Sequence, residues 1–298
     1  MTRTADLVDQ ILALDPGRRD IAAFATRGAA AAAARALRGA KRVLIVTGFA
    51  VEPNTPETDG PPGAAVLGRA LRRLGARVSY VTNAPNVPPV EAALKTLDEP
   101  TDVILYPTEL GGAQRLIESE KPTHLVAIER PGRNRDGDYL NMRGESVAAW
   151  NAPIDELFGV RGKARPVTVG IGDGGNEIGM GAARARIARL DPLRARIASV
   201  VRVDQLVVAG VSNWGAYGVV AALGRLTGDD LLHTAEVERR LIAACVAAGA
   251  CDGVTRRCEA TVDSLGADTH AGVVDLLRLA SRSGIMGASR TVRRGRRR

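Results

Sequence analysis

Aromatic side chains are scarce: Phe, Trp and Tyr make up 3% of the 298 residues, so an apolar content of 45% must build its core from Val, Leu, Ile and Ala. Histidine is nearly absent. His124, His233 and His270 are scattered without ligand spacing, which removes a histidine-based zinc centre and leaves each as a structural residue. Cys245, Cys251 and Cys258 form neither an even disulfide framework nor a CxxC metal pair. Cys245 reads as buried and inert, and the set implies reduced thiols in a cytoplasmic setting. No apolar run approaches the ~20 residues of a membrane span, so no membrane partner is expected. Asp6, Asp9 and Asp15 interrupt the first apolar stretch, against a secretory or transit segment.

The net charge of +8 suggests nucleic acid at first sight, but six arginines among residues 290–298 carry most of it; without them the balance is +2. The reading is a solvated basic tail over 288–298, with contact to nucleic acid or an acidic partner as the alternative. No internal repeat or Ser/Gly linker divides the rest, which predicts one domain over 1–287 with a helical N-terminal extension over 1–40.

Short apolar, β-branched runs alternate with helical patterns. Strands are expected at 43–47, 78–82, 103–106, 124–128, 167–171 and 206–209, and helices near 64–74, 90–97, 114–119, 146–158 and 180–190. That alternation predicts an α/β fold: a mostly parallel, Rossmann-like three-layer sheet with helices on both faces and a helical C-terminal third.

In such a sheet, ligands bind beyond the carboxyl ends of the strands. The unusual residues fall there. The first strand runs into Glu57-Thr58-Asp59-Gly60-Pro61-Pro62-Gly63, and the fourth into Glu129-Arg130-Pro131-Gly132. The fifth runs into 170–181, GIGDGGNEIGMG, and the sixth into Ser212-Asn213-Trp214-Gly215. The glycine-rich stretch suits neither helix nor strand but suits backbone held close to a ligand. Gly170-x-Gly172-x-x-Gly175 satisfies GxGxxG, yet Asp173 and Glu177 would repel a pyrophosphate and fit proton transfer or cation coordination better.

Each segment has a plainer reading. Asp59 to Gly63 could be an ordinary turn, or a helix N-terminus receiving an anion. Glu129 could pair with Arg130 or Arg143, or act as a base or metal ligand. The two arginines could be structural, or clamp a carboxylate. Ser212 and Asn213 could cap the following helix, and Trp214 is expected to be packing.

At these residues the chain resembles the D-glutamate cyclase family, specifically its C-terminal cyclase-like domain. The motifs already quoted carry the resemblance, together with Asn141-Met142-Arg143-Gly144 and Gly249-Ala250-Cys251-Asp252-Gly253-Val254-Thr255, from about residue 40 to 270. The resemblance implies a lyase that cyclises D-glutamate to 5-oxo-D-proline with loss of water. In some members this domain follows a hydro-lyase-like domain, so a hydro-lyase-like partner protein is a second expectation; a homo-oligomer is another. The alternatives are a non-catalytic amino-acid-binding subunit and a nucleotide-dependent enzyme.

Cyclisation needs a free amine, a polarised γ-carboxyl and a protonated leaving oxygen, a task for acids with separated pKa values. The candidate catalytic residues are Asp173, Glu177 and Glu129. Candidate substrate contacts are Asp59, Gly60, Arg130, Arg143, Gly174, Gly175, Asn176, Ser212 and Asn213, with the Gly174 and Gly175 N–H groups as oxyanion donors. Asp59, Glu129, Asp173 and Glu177 could together hold a divalent cation, Mg or Mn.

Overall fold

The β-branched runs become six strands, β1 (Arg42–Thr47), β2 (Arg77–Thr82), β3 (Val103–Leu105), β4 (His124–Ile128), β5 (Val167–Gly172) and β6 (Gln205–Val208); β1, β2, β4 and β5 are buried along nearly their whole length, β6 only in its second half, and the edge strand β3 is half-buried to exposed. In the computed structural model, which describes residues 6–160 and 165–288, all six are parallel and lie in the order β3-β2-β1-β4-β5-β6. This is the order of dinucleotide-type doubly wound sheets. Side chains alternate across β1: Val43 and Ile45 enter one core, Leu44 and Val46 another.

The two faces are covered unequally. On the first lie α1 (Leu7–Leu12), α2 (Ala29–Leu37), α3 (Pro61–Arg73), α4 (Val87–Thr96), α8 (Ser212–Thr227), α9 (Ala235–Ala247) and α10 (Ala267–Ala288). On the second, α5 (Gly112–Glu120) and the 3₁₀ turn Ile154–Gly159 carry the packing. Two short helices, α6 (Arg184–Ile187) and α7 (Pro192–Ile197), follow β5. No helix among the described residues is long and apolar enough to cross a membrane.

Four expectations are corrected. Residues 146–158 are not a helix but two 3₁₀ turns, Ala148–Trp150 and Ile154–Gly159. Pro153 disfavours a helical Ala152, and the Asn151 side chain bonds both backbone groups of Ala50 at 3.0 and 2.8 Å. Residues 180–190 hold only the single turn of α6, because the N–H groups of Gly179 and Gly181 bond Val201 O at 3.1 and 2.9 Å instead of starting a helix. The first 40 residues are no appended extension: Val8, Leu12, Ala33, Ala34 and Leu37 belong to the main core, and the stretch between α1 and α2 is irregular. Finally, Cys251 and Cys258 form a disulfide, so only Cys245, fully buried, is a free thiol. Backbone bonds from Asp252 N to Arg257 O and from Arg256 N to Asp252 O fold this short loop back on itself, which brings the sulfurs together. Residues 289–298 of the basic tail lie outside the described residues.

The histidines are structural, as expected. His124 bonds Ala36 O, His233 bonds Glu238, and His270 accepts from the indole of the buried Trp214.

Candidate active site

β1 and β4 are neighbours whose chains leave toward opposite halves of the sheet, so a crevice opens beyond their carboxyl ends. Glu129, the residue after β4, stands in it with a left-handed φ of 42°, a conformation that costs a non-glycine residue energy and recurs at functional sites. Its carboxylate accepts from Ser212 Oγ at 2.5 Å. After β1, a small hairpin of Ala50–Glu52 and Thr55–Pro56 carries the chain to Glu57 and Asp59.

Two helices start at this point and cap each other. The Asp59 carboxylate accepts from the N–H groups of Ser212 and Asn213 at the start of α8, at 2.9 and 2.8 Å. In return Asn213 Oδ1 accepts from Gly60 N and Gly63 N at the start of α3, at 3.0 and 2.7 Å. Donors that a helix start leaves free are thus satisfied across the junction. Gly60 has φ 102°, and a Cβ there would come within 2.9 Å of Thr47 Oγ1 and 3.0 Å of Glu129 Cβ. The Asp-Gly-Pro-Pro-Gly run is therefore neither a plain turn nor a free anion site: Asn213 fills it.

The glycine turn is closed in a similar way. Glu177 Oε1 accepts from Asp173 N and Gly174 N at 2.9 and 2.6 Å, and Oε2 accepts from Gly175 N at 2.7 Å. The carboxylate takes up the donors that a phosphate or an oxyanion would need. No helix starts here either, since α6 begins only at Arg184. The nucleotide reading of Gly170, Gly172 and Gly175 thus loses both its helix N-terminus and its free N–H groups. Asn176 ties the turn to the neighbouring loop through Leu140 O at 2.8 Å.

A cavity of about 260 Å³ opens beside these elements, toward the small end of the ~300–1,000 Å³ usual for ligand pockets. Its acidic lining is Glu57, Glu129, Asp173 and Asp263; Arg143, Arg194 and Arg256 supply basic lining groups. Arg194 bonds Gly174 O and Arg143 bonds Val254 O, so each is anchored by a backbone carbonyl. Among the acids lies Arg19, from the irregular segment between α1 and α2. Its guanidinium grips Asp263 with two bonds of 2.8 and 2.9 Å and also contacts Asp173. Asp15 holds the Arg19 N–H at 2.8 Å, and Ile21 and Phe24 beyond it are fully buried, so the segment is pinned around Arg19.

Burial dominates the electrostatics. It drives the carboxyls of Glu57, Glu129 and Asp173 well above the ordinary range; Arg19 opposes this at Asp173, and neighbouring acids reinforce it. Asp59 is raised to about 7 by burial, against the pull of the Asn213 and Ser212 N–H groups. Arg19 is held firmly charged by Asp173 and Asp263 despite its own burial. The oxygens of Asp59, Glu129 and Asp173 lie within 4.8 Å of one another, close enough to hold a metal ion; Glu177, the fourth acid expected there, is committed to the turn.

Of the residues singled out in the sequence, Glu129, Asp173, Asn176 and Arg143 line the cavity. Asp59, Gly60, Ser212 and Asn213 form the helix junction behind it, and Gly174, Gly175 and Glu177 form the turn. Arg130 is turned away. Fully buried, it donates to Gly48 O, Ala152 O and Asn83 Oδ1, and burial lowers it to about 9. Its role in the structure is to bind loops together rather than to face a substrate. The sequence reading missed Arg19, Glu57, Asp263, Arg194 and Arg256. Glu57 had a usable signal, two residues before Asp59 in the same motif; Arg19 and Asp263 had none.

A doubly wound parallel sheet with an acid-rich cavity at its switch point defines a Rossmann-like α/β protein. Residues 8–278 match the family described as D-glutamate cyclase-like, C-terminal, and the chain belongs to that family. A human protein, "D-glutamate cyclase, mitochondrial", is 35% identical over 233 residues, covering 72% of this chain and 38% of that protein. The chain therefore spans well under half the length of this relative. An exopolyphosphatase-related protein from Bacteroides fragilis aligns over 92% of this chain and 62% of its own at 12% identity and a TM-score of 0.43, a likeness too low to carry an argument.

Proposed function

We propose that the cavity binds D-glutamate and closes it to 5-oxo-D-proline, with water as the second product. The observation that carries this reading is the pairing of an acid floor, Glu57, Glu129 and Asp173, with the arginines Arg143, Arg194 and Arg256 in one cavity sized for a small molecule. Family membership and the human relative support it.

Ring closure joins the α-nitrogen to the γ-carbon and expels one γ-oxygen. Two protons leave the ammonium and two reach the departing oxygen, so the site must move protons without net loss. An ammonium favours the acid floor, and a γ-carboxyl enters such a floor most readily in its protonated form, which is also the reactive one. The departing oxygen receives one of its two protons on the γ-carboxyl as it enters and the other from Glu129, kept protonated by burial; the nitrogen gives one proton to Asp173, whose ionised form Arg19 favours against burial, and the other to the carboxylate left on Glu129. The arginines hold the α-carboxylate away from the reacting atoms. With the Gly174 and Gly175 donors occupied, Arg19, paired with Asp263, supplies positive charge to the acid floor.

The donor set also suits Mg or Mn. Three hard carboxylates converge, and the buried Glu57 Oε1 has no hydrogen-bond partner. Asp59, Glu129 and Asp173 would hold the ion, which would supply Lewis-acid polarisation of the γ-carboxyl.

The test is direct. The purified chain is incubated with D- or L-glutamate, with and without Mg²⁺ or Mn²⁺, and 5-oxoproline is measured by chiral chromatography. Turnover of the D-isomer is expected. Binding of D-glutamate by calorimetry without product would instead identify an amino-acid-binding subunit that needs a hydro-lyase-like partner, and the absence of both turnover and binding would remove the reading.

A further inference from the structure

Glu57 Oε1 is buried, lines the cavity and makes no hydrogen bond. Asp59, Glu129 and Asp173 offer oxygens within 4.8 Å of one another, and Glu129 and Asp173 line the same cavity as Glu57. The positive charge that reaches this group from the protein is the guanidinium of Arg19. Its attachments are unequal. Two hydrogen bonds tie it to Asp263, a fork that matches a carboxylate, whereas a single nitrogen reaches Asp173. Arg19 can therefore give up Asp173 and remain paired. Asp263 is itself held in place from behind: it sits in the tight turn between Thr261–Val262 and Leu265–Gly266, and Asp252 accepts from Ser264 N at 2.7 Å.

We propose that Arg19 is an internal, displaceable cation: an incoming small cation takes Asp173 from it, and Arg19 falls back on Asp263. The two cations that suit the site are a divalent metal and the α-ammonium of an amino acid, and both would meet the same oxygens. Arg19 thereby keeps the buried acids paired while the site is empty and sets the affinity with which it fills. The inference rests on the proposed amino-acid site only for the ammonium arm; the metal arm stands by itself.

Three proteins and three probes test it by titration calorimetry, with Mn²⁺ binding also read by electron paramagnetic resonance. Removing the competitor in Arg19→Gln should tighten Mn²⁺ at least ~10-fold, because one opposing charge is gone. Asp263→Asn removes the fallback, leaves Arg19 on Asp173 alone, and should weaken Mn²⁺ at least ~10-fold. D-glutamate should follow the same order, and 5-oxo-D-proline, which has no ammonium, should not. A merely structural Arg19 would make both variants bind worse than wild type. Equal affinities, weaker binding by Arg19→Gln, or no Mn²⁺ binding by any of the three proteins overturns the proposal. Should Arg19→Gln fail to fold by circular dichroism, unchanged or tighter binding by Asp263→Asn overturns it alone. If Mn²⁺ follows the order and D-glutamate binds nowhere, the charge exchange stands and the amino-acid reading falls.

Discussion

Glu177 and Asp173 are four residues apart in one turn, and both are buried acids, yet the structure gives them opposite work. Glu177 points back into the turn and accepts three backbone N–H groups; Asp173 points out into the cavity toward Arg19. Substitution should separate them. Glu177→Gln keeps one oxygen for the Asp173 and Gly174 N–H groups but turns an NH₂ toward Gly175 N–H, which loses its acceptor, and a buried group left unsatisfied costs ~1–3 kcal/mol. A loss of ~2 kcal/mol or more in urea unfolding is expected, along with lower activity through a misplaced Asp173. Asp173→Asn leaves Arg19 on Asp263, so the fold should lose under ~1 kcal/mol, while kcat for oxoproline formation falls at least ~10²-fold. An Asp173→Asn enzyme with near wild-type kcat would take Asp173 out of the chemistry. Sequence alone could not order these two acids. Both sit in the same glycine-rich stretch, and only the fold of the turn decides which carboxylate faces inward.

At the scale of elements, the site depends on how α3 and α8 begin. Each helix start is capped by a residue of the other, Asp59 serving α8 and Asn213 serving α3. That makes the spacing of the two loops a packing constraint and fixes Ser212 under Glu129. Asn213→Ala leaves the Gly63 N–H without its acceptor in a buried junction and leaves Gly60 N–H on Asp59 Oδ1 alone, at 3.0 Å. By ordinary capping energetics the cost is ~1–2 kcal/mol. Chemical denaturation should show a loss of that size, and the variant should also bind substrate more weakly as Glu129 loses its support. A loss below ~0.5 kcal/mol would mean the reciprocal caps hold nothing. The loops themselves were readable from the sequence. Six strand positions and the carboxyl-end rule bring Asp59, Glu129, Asp173 and Asn213 together from the sequence alone, because parallel strands leave periodic apolar runs and punctuating Gly and Pro. The failures at 146–158 and 180–190 share one cause. In the first the Asn151 side chain bonds Ala50, in the second the Gly179 and Gly181 N–H groups bond Val201, and helical periodicity carries no record of such distant partners.

For the whole molecule, the same acids that form the cavity link stability to pH. Asp59 is raised from 3.8 to about 7 on folding, chiefly by burial, and burial lifts Glu57, Glu129 and Asp173 as well. A raised carboxyl binds its proton more tightly in the folded state than in the unfolded chain, so stability is full below the unfolded pKa and is lost as pH rises through the folded value. For Asp59 that window runs from about pH 4 to about 7, and at ~1.4 kcal/mol per pKa unit the loss could reach a few kcal/mol. Carboxylates lowered by arginine act in the opposite direction but elsewhere. Asp204, brought to about 2 by Arg165, loses its contribution only as pH falls below about 4. The segment bearing Arg19 makes this a property of the entire chain, since a cation contributed from between α1 and α2 offsets acids supplied by the loops after β1, β4 and β5 and by the turn at Asp263. That long-range pairing has no periodic or motif signature, which is why Glu129 and Asp173 are legible in the sequence and their counter-ion is not. Scanning calorimetry should give a lower Tm at pH 8 than at pH 5, and Asp59→Asn should flatten the difference by deleting one of the titrating groups. A Tm that stays level or climbs across this range would mean the cluster stays fully ionised in the folded protein, with enough positive charge reaching it that burial no longer governs its protons.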